Sequence, residues 1–396
     1  MNTQWEIKRL ADIVEFQRGL TYSKKDEVEI SSNIVLRSNN VDLNTNRLDF
    51  SDLKYIDDAI EIPENKKVNK GSLIICTANG SKAHLGKVAL IEEDYGYAFG
   101  GFMGLITPSK KLNGKYLFYL LISFSYKEFI GRLSDGANIN NLKFSDLGEF
   151  EIPVTPLPEQ KRIVAILDEA FAAIDKAKAN AEQNLRNAKE LFESYLNGVF
   201  ANPGEDWEEK LFEDCFKLKS GDNLTAKNML EGEYPVFGGN GIAGYHNEFN
   251  LSGSNVIIGR VGALCGNVRH ITENIWLTDN AFRVVDFKFD FDHSFLTYLL
   301  NHIDLRSFAR QAAQPVISNS SLKDVVLNFP KSKKEQQTIV QKSDALQAET
   351  QKIETNYQQK INDLEELKKS VLQKAFSGEL SEGVSVKSKI AKSLAV

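Results

Sequence analysis

The amino-acid sequence contains an internal repeat, and this repeat constrains the fold more than any other feature. Four segments recur in the same order: Trp5-Glu6-x-Lys8 as Trp207-Glu208-x-Lys210 (offset 202), Gly71-Ser72 with Ile75 as Gly253-Ser254 with Ile257 (offset 182), Tyr119-Leu120-Leu121 as Tyr298-Leu299-Leu300 (offset 179), and Glu159-Gln160-x-x-Ile163-Val164 as Glu335-Gln336-x-x-Ile339-Val340 (offset 176). The offset shrinks slowly along the chain, as expected of a duplicated unit whose second copy has shorter loops. We therefore expect two similar domains.

Each copy ends in a long segment that contains neither glycine nor proline, which predicts a long helix. These segments are 159–197 and 334–377, and at about 1.5 Å per residue each helix would be roughly 60 Å long. Apolar residues recur along both segments in alternating steps of three and four, a spacing typical of a coiled-coil seam. The predicted seam residues are Ile163, Leu167, Ile174, Leu191, Tyr195, Ile339, Leu346, Ile353, Tyr357, Leu364, Leu367 and Val371.

The first long segment carries small residues at seam positions where the second carries large ones. Ala170 corresponds to Leu346, and Ala177 corresponds to Ile353. Because small side chains pack well against large ones, we expect the two helices to pack on each other, and an antiparallel pairing is the simplest arrangement. The alternative is that each helix docks on its own domain or on another protein.

The regions before the helices predict mixed α+β domains with twisted sheets, since short apolar runs there are separated by Gly, Asn, Ser and Asp. The runs at 72–76, 87–91, 255–258 and 282–285 predict strands, and 238–241 predicts a tight turn. The expected fold is α+β and pseudo-two-fold symmetric, with two tandem domains joined by an antiparallel coiled coil. The expected boundaries are 1–156 and 201–330 for the domains, 157–200 and 331–380 for the helices, and 381–396 for a polar, basic tail.

Composition narrows the class of protein. Of 396 residues, 42% are hydrophobic and 26% charged, the proportions of a chain that folds in water. The apolar stretches are shorter than the roughly 20 residues that cross a membrane, and no signal peptide precedes Trp5. We therefore expect a cytoplasmic protein without a membrane partner. Cys76, Cys215 and Cys265 have no CxxC spacing and predict neither a disulfide framework nor a zinc site.

Catalytic signatures are weak. The segment 237–241 fits the F-x-G-x-G pattern of a methyl-donor loop, but no [DN]-P-P-[YF] tetrapeptide accompanies it. The segment 80–87 has the wrong glycine spacing for a phosphate loop, and Asp279 with the 286–288 segment is a weak match to a metal-dependent nuclease. The five histidines show no ligand spacing. We predict a non-catalytic chain that binds no metal or cofactor.

Charge placement is more informative than charge balance. The net charge of -6 excludes a uniformly basic nucleic-acid binder but permits a local one. The windows 65–91 and 249–272 contain no Asp or Glu and cover matched parts of the two copies, and 30–41 is a third such window. The alternative is that polar loops lack acids by chance. The candidate DNA-binding residues are Arg37, Ser38, Asn39, Asn79, Ser81, Lys82, His84, Lys87, Asn240, Tyr245, His246, Arg260 and Arg269.

Three segments carry a resemblance to a known family. They are Leu157-Pro-Glu-Gln-Lys-Arg-Ile-Val-Ala-Ile-Leu-Asp168, Glu190-Leu-Phe-Glu-Ser-Tyr-Leu196 and Tyr234-Pro-Val-Phe-Gly-Gly-Asn-Gly241. With the two-copy order of domain and helix, they make residues 3–380 resemble the specificity subunits of type I restriction-modification systems. The sequence departs from this pattern at 331–335, which lacks the Pro-Leu-Pro before the first helix, and at 99–104, which replaces the 278–283 type of sequence.

The resemblance implies a non-catalytic subunit with two target recognition domains. Each would read one half of an asymmetric, bipartite double-stranded DNA site, and the coiled coil would act as a ruler between them. The partners implied are two methyltransferase subunits docked along the helices and two restriction subunits driven by ATP. S-adenosylmethionine, ATP and Mg would belong to these partners. A coiled-coil scaffold that binds protein, which would lack salt-dependent DNA binding, and an enzyme that modifies DNA by itself are the alternatives.

Overall fold

The computed structural model describes residues 5–135, 141–310 and 315–379. The chain forms two compact units, unit 1 with Met1–Ala181 and Gln359–Val396 and unit 2 with Glu182–Gln358. Each unit therefore contains one mixed domain together with part of each long helix. The predicted tail at 381–396 lies outside the described residues.

In its described residues, domain 1, the mixed domain of unit 1, has ten strands and three short α-helices before the central helix. The strands are β1 (Glu6–Arg9), β2 (Val14–Arg18), β3 (Glu27–Val28), β4 (Asn33–Leu36), β5 (Lys54–Ile56), β6 (Leu73–Cys76), β7 (Val88–Leu90), β8 (Ala98–Phe99), β9 (Met103–Pro108) and β10 (Glu151–Val154). The helices are α1 (Gly114–Leu121), α2 (Phe124–Asp135), α3 (Phe144–Gly148) and the central helix α4 (Leu157–Ala201).

Domain 2, the mixed domain of unit 2, repeats this plan. Its strands are β11 (Trp207–Leu211), β12 (Lys217–Ser220), β13 (Tyr234–Gly238), β14 (Gly241–His246), β15 (Asn255–Gly259), β16 (Val268–Ile271), β17 (Trp276–Leu277), β18 (Ala281–Val285) and β19 (Val326–Pro330). Its helices are α5 (Phe212–Cys215), α6 (His293–His302), α7 (Asn319–Leu322) and the C-terminal helix α8 (Lys333–Phe376).

The sheets of the two domains correspond in order, although the second sheet has four strands in domain 1 and three in domain 2 within the described residues. Domain 1 has a β2-β9-β6-β7 sheet and a β3-β5-β4-β8 sheet, and domain 2 has a β12-β18-β15-β16 sheet and a β14-β13-β17 sheet. In each domain the first sheet is antiparallel and the second ends in a parallel pair, β4 with β8 or β13 with β17. A further antiparallel pair, β1 with β10 or β11 with β19, precedes the long helix.

One inner strand of each four-stranded antiparallel sheet is buried on both faces, which explains its continuous apolar sequence. In β6, Leu73 and Ile75 belong to one hydrophobic core while Ile74 belongs to another. In β15, Val256 and Ile258 face one core while Ile257 faces another. The predicted strands at these positions and the turn between β13 and β14 are confirmed.

Strand pairing corrects one match of the sequence repeat. Ile75 lies opposite Gly104 and Ile258 lies opposite Phe282, at the same level of equivalent sheets. The offset in this strand is therefore 183, and the match of Ile75 with Ile257 is wrong by one residue. The preceding glycines, both at positive φ, occupy turns that differ by one residue in length before the strand.

The two long helices pack together, antiparallel, within unit 1. Lys178 of α4 pairs with Glu365 of α8 at 2.6 Å, and Asp175 pairs with Lys368 at 2.7 Å. The residue number rises on one helix as it falls on the other, which fixes the antiparallel direction. Apolar residues of both helices join the core of domain 1 in one cluster. The helices thus pack on each other and on the domain, so the two alternatives drawn from the sequence are both realised in part.

Unit 2 shows the same construction. Asn184 of α4 donates a hydrogen bond to the hydroxyl of Tyr357 of α8 at 3.1 Å. Phe200 of α4 and Ile339 of α8 pack on the core of domain 2. The two mixed domains and the contact between the long helices confirm the predicted fold class.

One column of the predicted seam is buried along most of its length, whereas the other is half-buried or exposed apart from Ile163 and Ala170. Positions spaced by seven residues are buried along both helices: Gln160, Leu167, Ile174, Ala181 and Ala188 on α4, and Gln336, Ser343, Thr350, Leu364 and Val371 on α8. Of the other predicted seam residues, Ile163 is buried, and Tyr195, Ile339, Leu346, Tyr357 and Leu367 are half-buried. Leu191 and Ile353 are instead 48% and 38% exposed, which corrects their assignment to the seam. A helix of 3.6 residues per turn drifts by about 20° per heptad, which turns the second column outward.

Within the described residues, no helix combines the length and the hydropathy that crossing a membrane requires.

Candidate nucleic-acid interface

Three loops converge at one end of domain 1. We call residues 37–40, 77–84 and 100–102 the domain 1 loop face. Asn79 donates a hydrogen bond to the Ser38 hydroxyl at 2.8 Å and thereby joins the first two loops. The backbone N–H of Thr77 donates to the carbonyl of Phe102 at 2.9 Å, which joins the second loop to the third. The structure therefore brings two of the acid-free windows together.

An acidic residue from outside these windows folds back onto the domain 1 loop face. Asp52 accepts hydrogen bonds from Arg37 at 3.1 Å and from Asn39. The Arg37 Nε is buried without a hydrogen-bond partner among the described residues. A phosphate or a base edge that engages Arg37 must compete with the exposed Asp52 carboxylate, so the absence of acids along 30–41 does not make the folded loop acid-free.

The remaining candidates of the second loop are at or near the surface. Ser81 is exposed, and its N–H donates to Asn79 at 2.9 Å. The exposed Lys82 donates to the carbonyl of Ser134 at 3.0 Å. His84 is half-buried, and its Nδ1 has no partner within the described part of the chain.

Lys87, by contrast, lies inside domain 1. It is 8% exposed, and its ammonium donates to the carbonyl of Val41 at 2.7 Å. Burial lowers its pKa, because desolvation penalises the charged form. In the folded domain this ammonium binds the Val41 carbonyl and does not present its charge to a ligand. The surface position that the sequence predicted for Lys87 is therefore corrected.

Domain 2 brings three equivalent loops together. We call residues 238–241, 260–266 and 278–280 the domain 2 loop face. Asn240 accepts a hydrogen bond from the backbone N–H of Leu264 at 2.9 Å. The N–H of Arg260 donates to the carbonyl of Asn280 at 2.9 Å. Glycine is required at 239, where a Cβ would lie 1.9 Å from the carbonyl oxygen of Val261, because the loops approach so closely.

The two candidate arginines of domain 2 are half-buried. The guanidinium of Arg260 lies 5.3 Å from the centroid of the Phe282 ring and donates to the carbonyl of Asp279 at 3.3 Å. The guanidinium of Arg269 lies next to Gly241, at 3.3 Å from the position of a Cβ there. Burial lowers the pKa of Arg269. Both guanidinium groups lie against residues of the domain 2 loop face or of the adjoining strand, and both place positive charge at this face.

The adjacent candidates Tyr245 and His246 point in opposite directions, as strand neighbours do. Tyr245 is 55% exposed and His246 is 5% exposed. The Nδ1 of His246 accepts a hydrogen bond from the N–H of Leu230 at 3.0 Å, and its ring stands edge-on to Trp276. His246 is therefore a core residue in this structure, and the prediction of a surface role for it is corrected, whereas Tyr245 is available on the surface.

The family model for the type I restriction modification DNA specificity domain matches residues 2–184 and 204–363. The chain belongs to this family. It is therefore a specificity subunit, the DNA-recognition component and not a catalytic one, and the sequence-based assignment is confirmed.

Curated relatives carry the same designation. The chain is 25% identical over 425 residues to the StySPI specificity subunit of Salmonella potsdam, with 95% of this chain and 89% of the relative covered. It is 30% identical over 198 residues to the EcoKI specificity subunit of Escherichia coli K12, with 49% of this chain and 42% of the relative covered. The match to the first relative extends over both domains and both helices.

Solved structures share the fold of this specificity subunit. A chain from a study of assembly and conformational transition of the type I R-M system matches with a TM-score of 0.77 and 17% identity, over 95% of this chain and 98% of that one. The HsdS subunit of Thermoanaerobacter tengcongensis matches with a TM-score of 0.61 and 17% identity, over 95% and 97%.

Sequence reasoning missed part of both loop faces. Thr77 occupies in domain 1 the place of Arg260 in domain 2, because each lies one residue after the equivalent strand and donates its N–H to the third loop. By the same criterion, Phe102 corresponds to Asn280. The two copies of the repeat differ in sequence at the third loop, 99–104 against 278–283. This difference was the only feature of the sequence that pointed to Phe102 and Asn280.

The repeated tyrosines of this specificity subunit form hydrogen bonds to the long helices. Tyr119 donates a hydrogen bond to the Asp168 carboxylate in unit 1, and Tyr298 donates to the Asp344 carboxylate in unit 2. Burial and the neighbouring carboxylate raise the pKa of both phenols, so the hydroxyls stay protonated and donate. These repeated residues therefore fix each domain to its helix.

Proposed function

We propose that each loop face reads one half of a bipartite DNA site. The observation that carries the proposal is the matched pair of loop faces, one on each domain, closed by equivalent backbone hydrogen bonds between Thr77 and Phe102 and between Arg260 and Asn280. Loops held by backbone hydrogen bonds present their side chains in a fixed arrangement, which base recognition in a DNA groove requires. The family supports DNA as the ligand.

The two half-sites should differ in sequence. At equivalent positions, domain 1 has Thr77 and Phe102, whereas domain 2 has Arg260 and Asn280. Arg and Asn make bidentate hydrogen bonds to guanine and adenine, while Phe makes apolar contacts to the thymine methyl group. Thr77 is buried, so the base contact of domain 1 at these positions falls to Phe102. The target is therefore asymmetric, with the long helices as the spacer between its halves.

Partners supply the chemistry in this proposal. The relatives are subunits of type I restriction enzymes, which supports association with methyltransferase and restriction subunits. We place two of each in the full complex, with S-adenosylmethionine, ATP and Mg bound by them. Adenine methylation or restriction is then directed to the sites that this chain selects. The DNA substrate supports a cytoplasmic location.

The test is methylome sequencing of cells that express this chain with its neighbouring methyltransferase subunit. Cells with the methyltransferase alone are the control. We expect one bipartite, asymmetric methylated motif that requires this chain. A soluble complex that leaves the methylome unchanged would contradict the proposal. DNA binding without salt dependence would favour the scaffold alternative, because phosphate contacts release counterions.

A further inference from the structure

Phe102 stands out on the domain 1 loop face because its side chain is not part of any core. It is 73% exposed, although burying an aromatic ring would stabilise the domain. Its backbone is nevertheless fixed. The Phe102 carbonyl accepts from the N–H of Thr77 at 2.9 Å, from the N–H of Ala78 at 3.1 Å and from the Thr77 hydroxyl at 2.9 Å. Three donors thus hold a turn whose ring points outward.

The turn itself is tight. The N–H of Met103 donates to the carbonyl of Gly100 at 2.8 Å, which closes a four-residue turn around Gly101 and Phe102. Gly101 lies close to Leu20 and Thr21, with a Cβ position 3.4 Å from the Leu20 carbonyl oxygen. The ring therefore projects from a rigid support rather than from a loop that could fold it inward.

The surroundings of Phe102 fit DNA. Residues 95–127 contain no Asp or Glu, and the adjoining second loop lies in the acid-free window 65–91. The concavity beside Phe102 is also lined by Arg18, Asn141, Leu142 and Phe144. The Asp52 carboxylate on the same loop face is paired with Arg37 at 3.1 Å. An exposed ring beside a basic side chain is suited to an apolar contact inside a polar groove, and the apolar group in the major groove is the C5 methyl of thymine.

We propose that Phe102 is a specificity-determining residue that contacts the methyl group of one thymine in the half-site read by domain 1. The inference rests on the proposed function and further identifies one base that domain 1 recognises. The equivalent position in domain 2 is Asn280, an exposed amide suited to adenine. The same position of the repeat therefore reads a methyl group in one half-site and hydrogen-bonding atoms in the other.

The test measures binding of the complex of this chain with its methyltransferase to duplexes that carry the methylated motif. Each thymine of the domain 1 half-site is replaced in turn by deoxyuridine, which lacks only the methyl group. Wild type should lose about fourfold in affinity at one position, the change expected for one buried methyl group. Phe102→Ala should bind the thymine duplex more weakly and show no deoxyuridine effect there. Phe102→Leu should keep most of the effect.

Asn280→Ala is the matched control, because it changes the equivalent residue of the other domain. It should keep the deoxyuridine effect in the domain 1 half-site and alter recognition of the other half-site. The inference is overturned if wild type tolerates every deoxyuridine, if the half-site contains no thymine, or if Phe102→Ala weakens binding to all sequences equally, as a wedge between base pairs would. In these cases the bipartite motif still stands. A complex that recognises no bipartite motif contradicts the proposed function itself.

Discussion

Gln160 in the central helix accepts a hydrogen bond from the backbone N–H of Asn113, the N-cap of α1, at 2.8 Å. Its amide also donates to the carbonyls of Lys111 and Thr155 at 3.0 and 2.7 Å. The side chain is fully buried, so all of its polar atoms are satisfied by the domain on which the helix packs.

The second copy repeats this contact. Gln336 in α8 accepts from the N–H of Asp292, the N-cap of α6, at 2.7 Å and donates to the carbonyl of Pro330 at 3.0 Å. The repeated Glu-Gln motif is thus the connection that sets each helix against its own domain. The position of each helix relative to the loop face of its domain depends on this connection and not on the seam alone.

Replacing Gln160 by Leu should destabilise unit 1. The substitution removes one acceptor and two donors from buried backbone groups and leaves those groups unpaired, which costs about 1–3 kcal/mol for each group that water cannot reach. Urea unfolding followed by circular dichroism measures the loss. Gln183→Leu, at an exposed position of the same helix, is the control and should change the free energy of unfolding by less than about 0.5 kcal/mol. Equal effects would contradict the structural role of Gln160.

Lys87→Met tests the buried ammonium of domain 1. The change leaves the carbonyl of Val41 without its donor, so we expect a stability loss of about 1–3 kcal/mol. Because the ammonium is not presented on the surface, the salt dependence of DNA binding should stay the same. Lys82→Met, at an exposed position of the same loop, is the comparison. If Lys82 contacts a phosphate, its removal reduces the slope of the logarithm of the binding constant against the logarithm of the salt concentration by about one. A reduced slope for Lys87→Met would contradict the structural assignment.

His293 should make the stability of domain 2 depend on pH. The Ser254 hydroxyl lies 2.8 Å from His270 Nε2 and 2.8 Å from His293 Nδ1. Burial, and then the neighbouring His270, lower the pKa of His293 below its ordinary value of 6.5, and Lys333 also lowers it while Asp292 raises it. As the pH falls through 6.5, the unfolded chain takes up a proton that the folded chain refuses. Stability therefore falls until the folded pKa is reached.

His293→Gln should make this pH dependence shallower. Urea unfolding at pH 7.5 and pH 5.5 gives the comparison, and the difference between the two values should shrink in the variant. Part of it should remain, because burial also lowers the pKa of His302, which stacks on Phe200. An unchanged difference would mean that His293 does not carry the effect.

The helices and the core strands could be predicted from the sequence because each depends on local patterns. The 159–197 segment combines a glycine- and proline-free run with regular apolar spacing, and the 72–76 run is short and apolar. Each of these patterns involves residues that are close in sequence and lie on the same helix or strand. The outward turn of Leu191 was not predictable from a seven-residue pattern, because it accumulates from the mismatch between helical and heptad periods.

The loop faces could be predicted only in part. Acid-free windows located two loops of domain 1, but the return of Asp52 and the burial of Lys87 depend on contacts between distant segments. His246 and Tyr245 are both polar aromatics in one strand, and the sequence alone did not determine which of them faces the core. No pattern in the sequence identified Phe102 as an exposed residue, because its exposure follows from the tight turn at 100–103.

Arg260→Ala should affect one half-site and not the other. Its guanidinium is held by the Phe282 ring and the Asp279 carbonyl, so it occupies one defined position on the domain 2 loop face. Loss of a bidentate base contact costs about 1–3 kcal/mol at a single base pair. Binding to duplexes with single changes in each half-site measures this. Lys219→Ala, at an exposed position of β12, is the control. Equal weakening on every sequence would make Arg260 a phosphate contact instead.

Lengthening both long helices by one heptad should change the tolerated spacer. Seven residues inserted after Ala181 and seven after Gln358, at the boundaries of the two units, preserve the register of the buried column. They add about 10 Å of helix at 1.5 Å per residue, which corresponds to about three base pairs at 3.4 Å each. The half-site bases should not change, because both loop faces keep their residues.

Methylome sequencing reads the spacer and the half-sites of this variant in one experiment. The same seven residues inserted after Glu379, beyond the end of α8, are the control and should leave the spacer as it is. The two helices lie antiparallel in the part of the coil that belongs to unit 1, with Lys178 opposite Glu365, so insertion in one helix alone breaks the pairing and should reduce methylation. An unchanged spacer in the double insertion would contradict the role of the coil as a ruler while leaving the reading of each half-site intact.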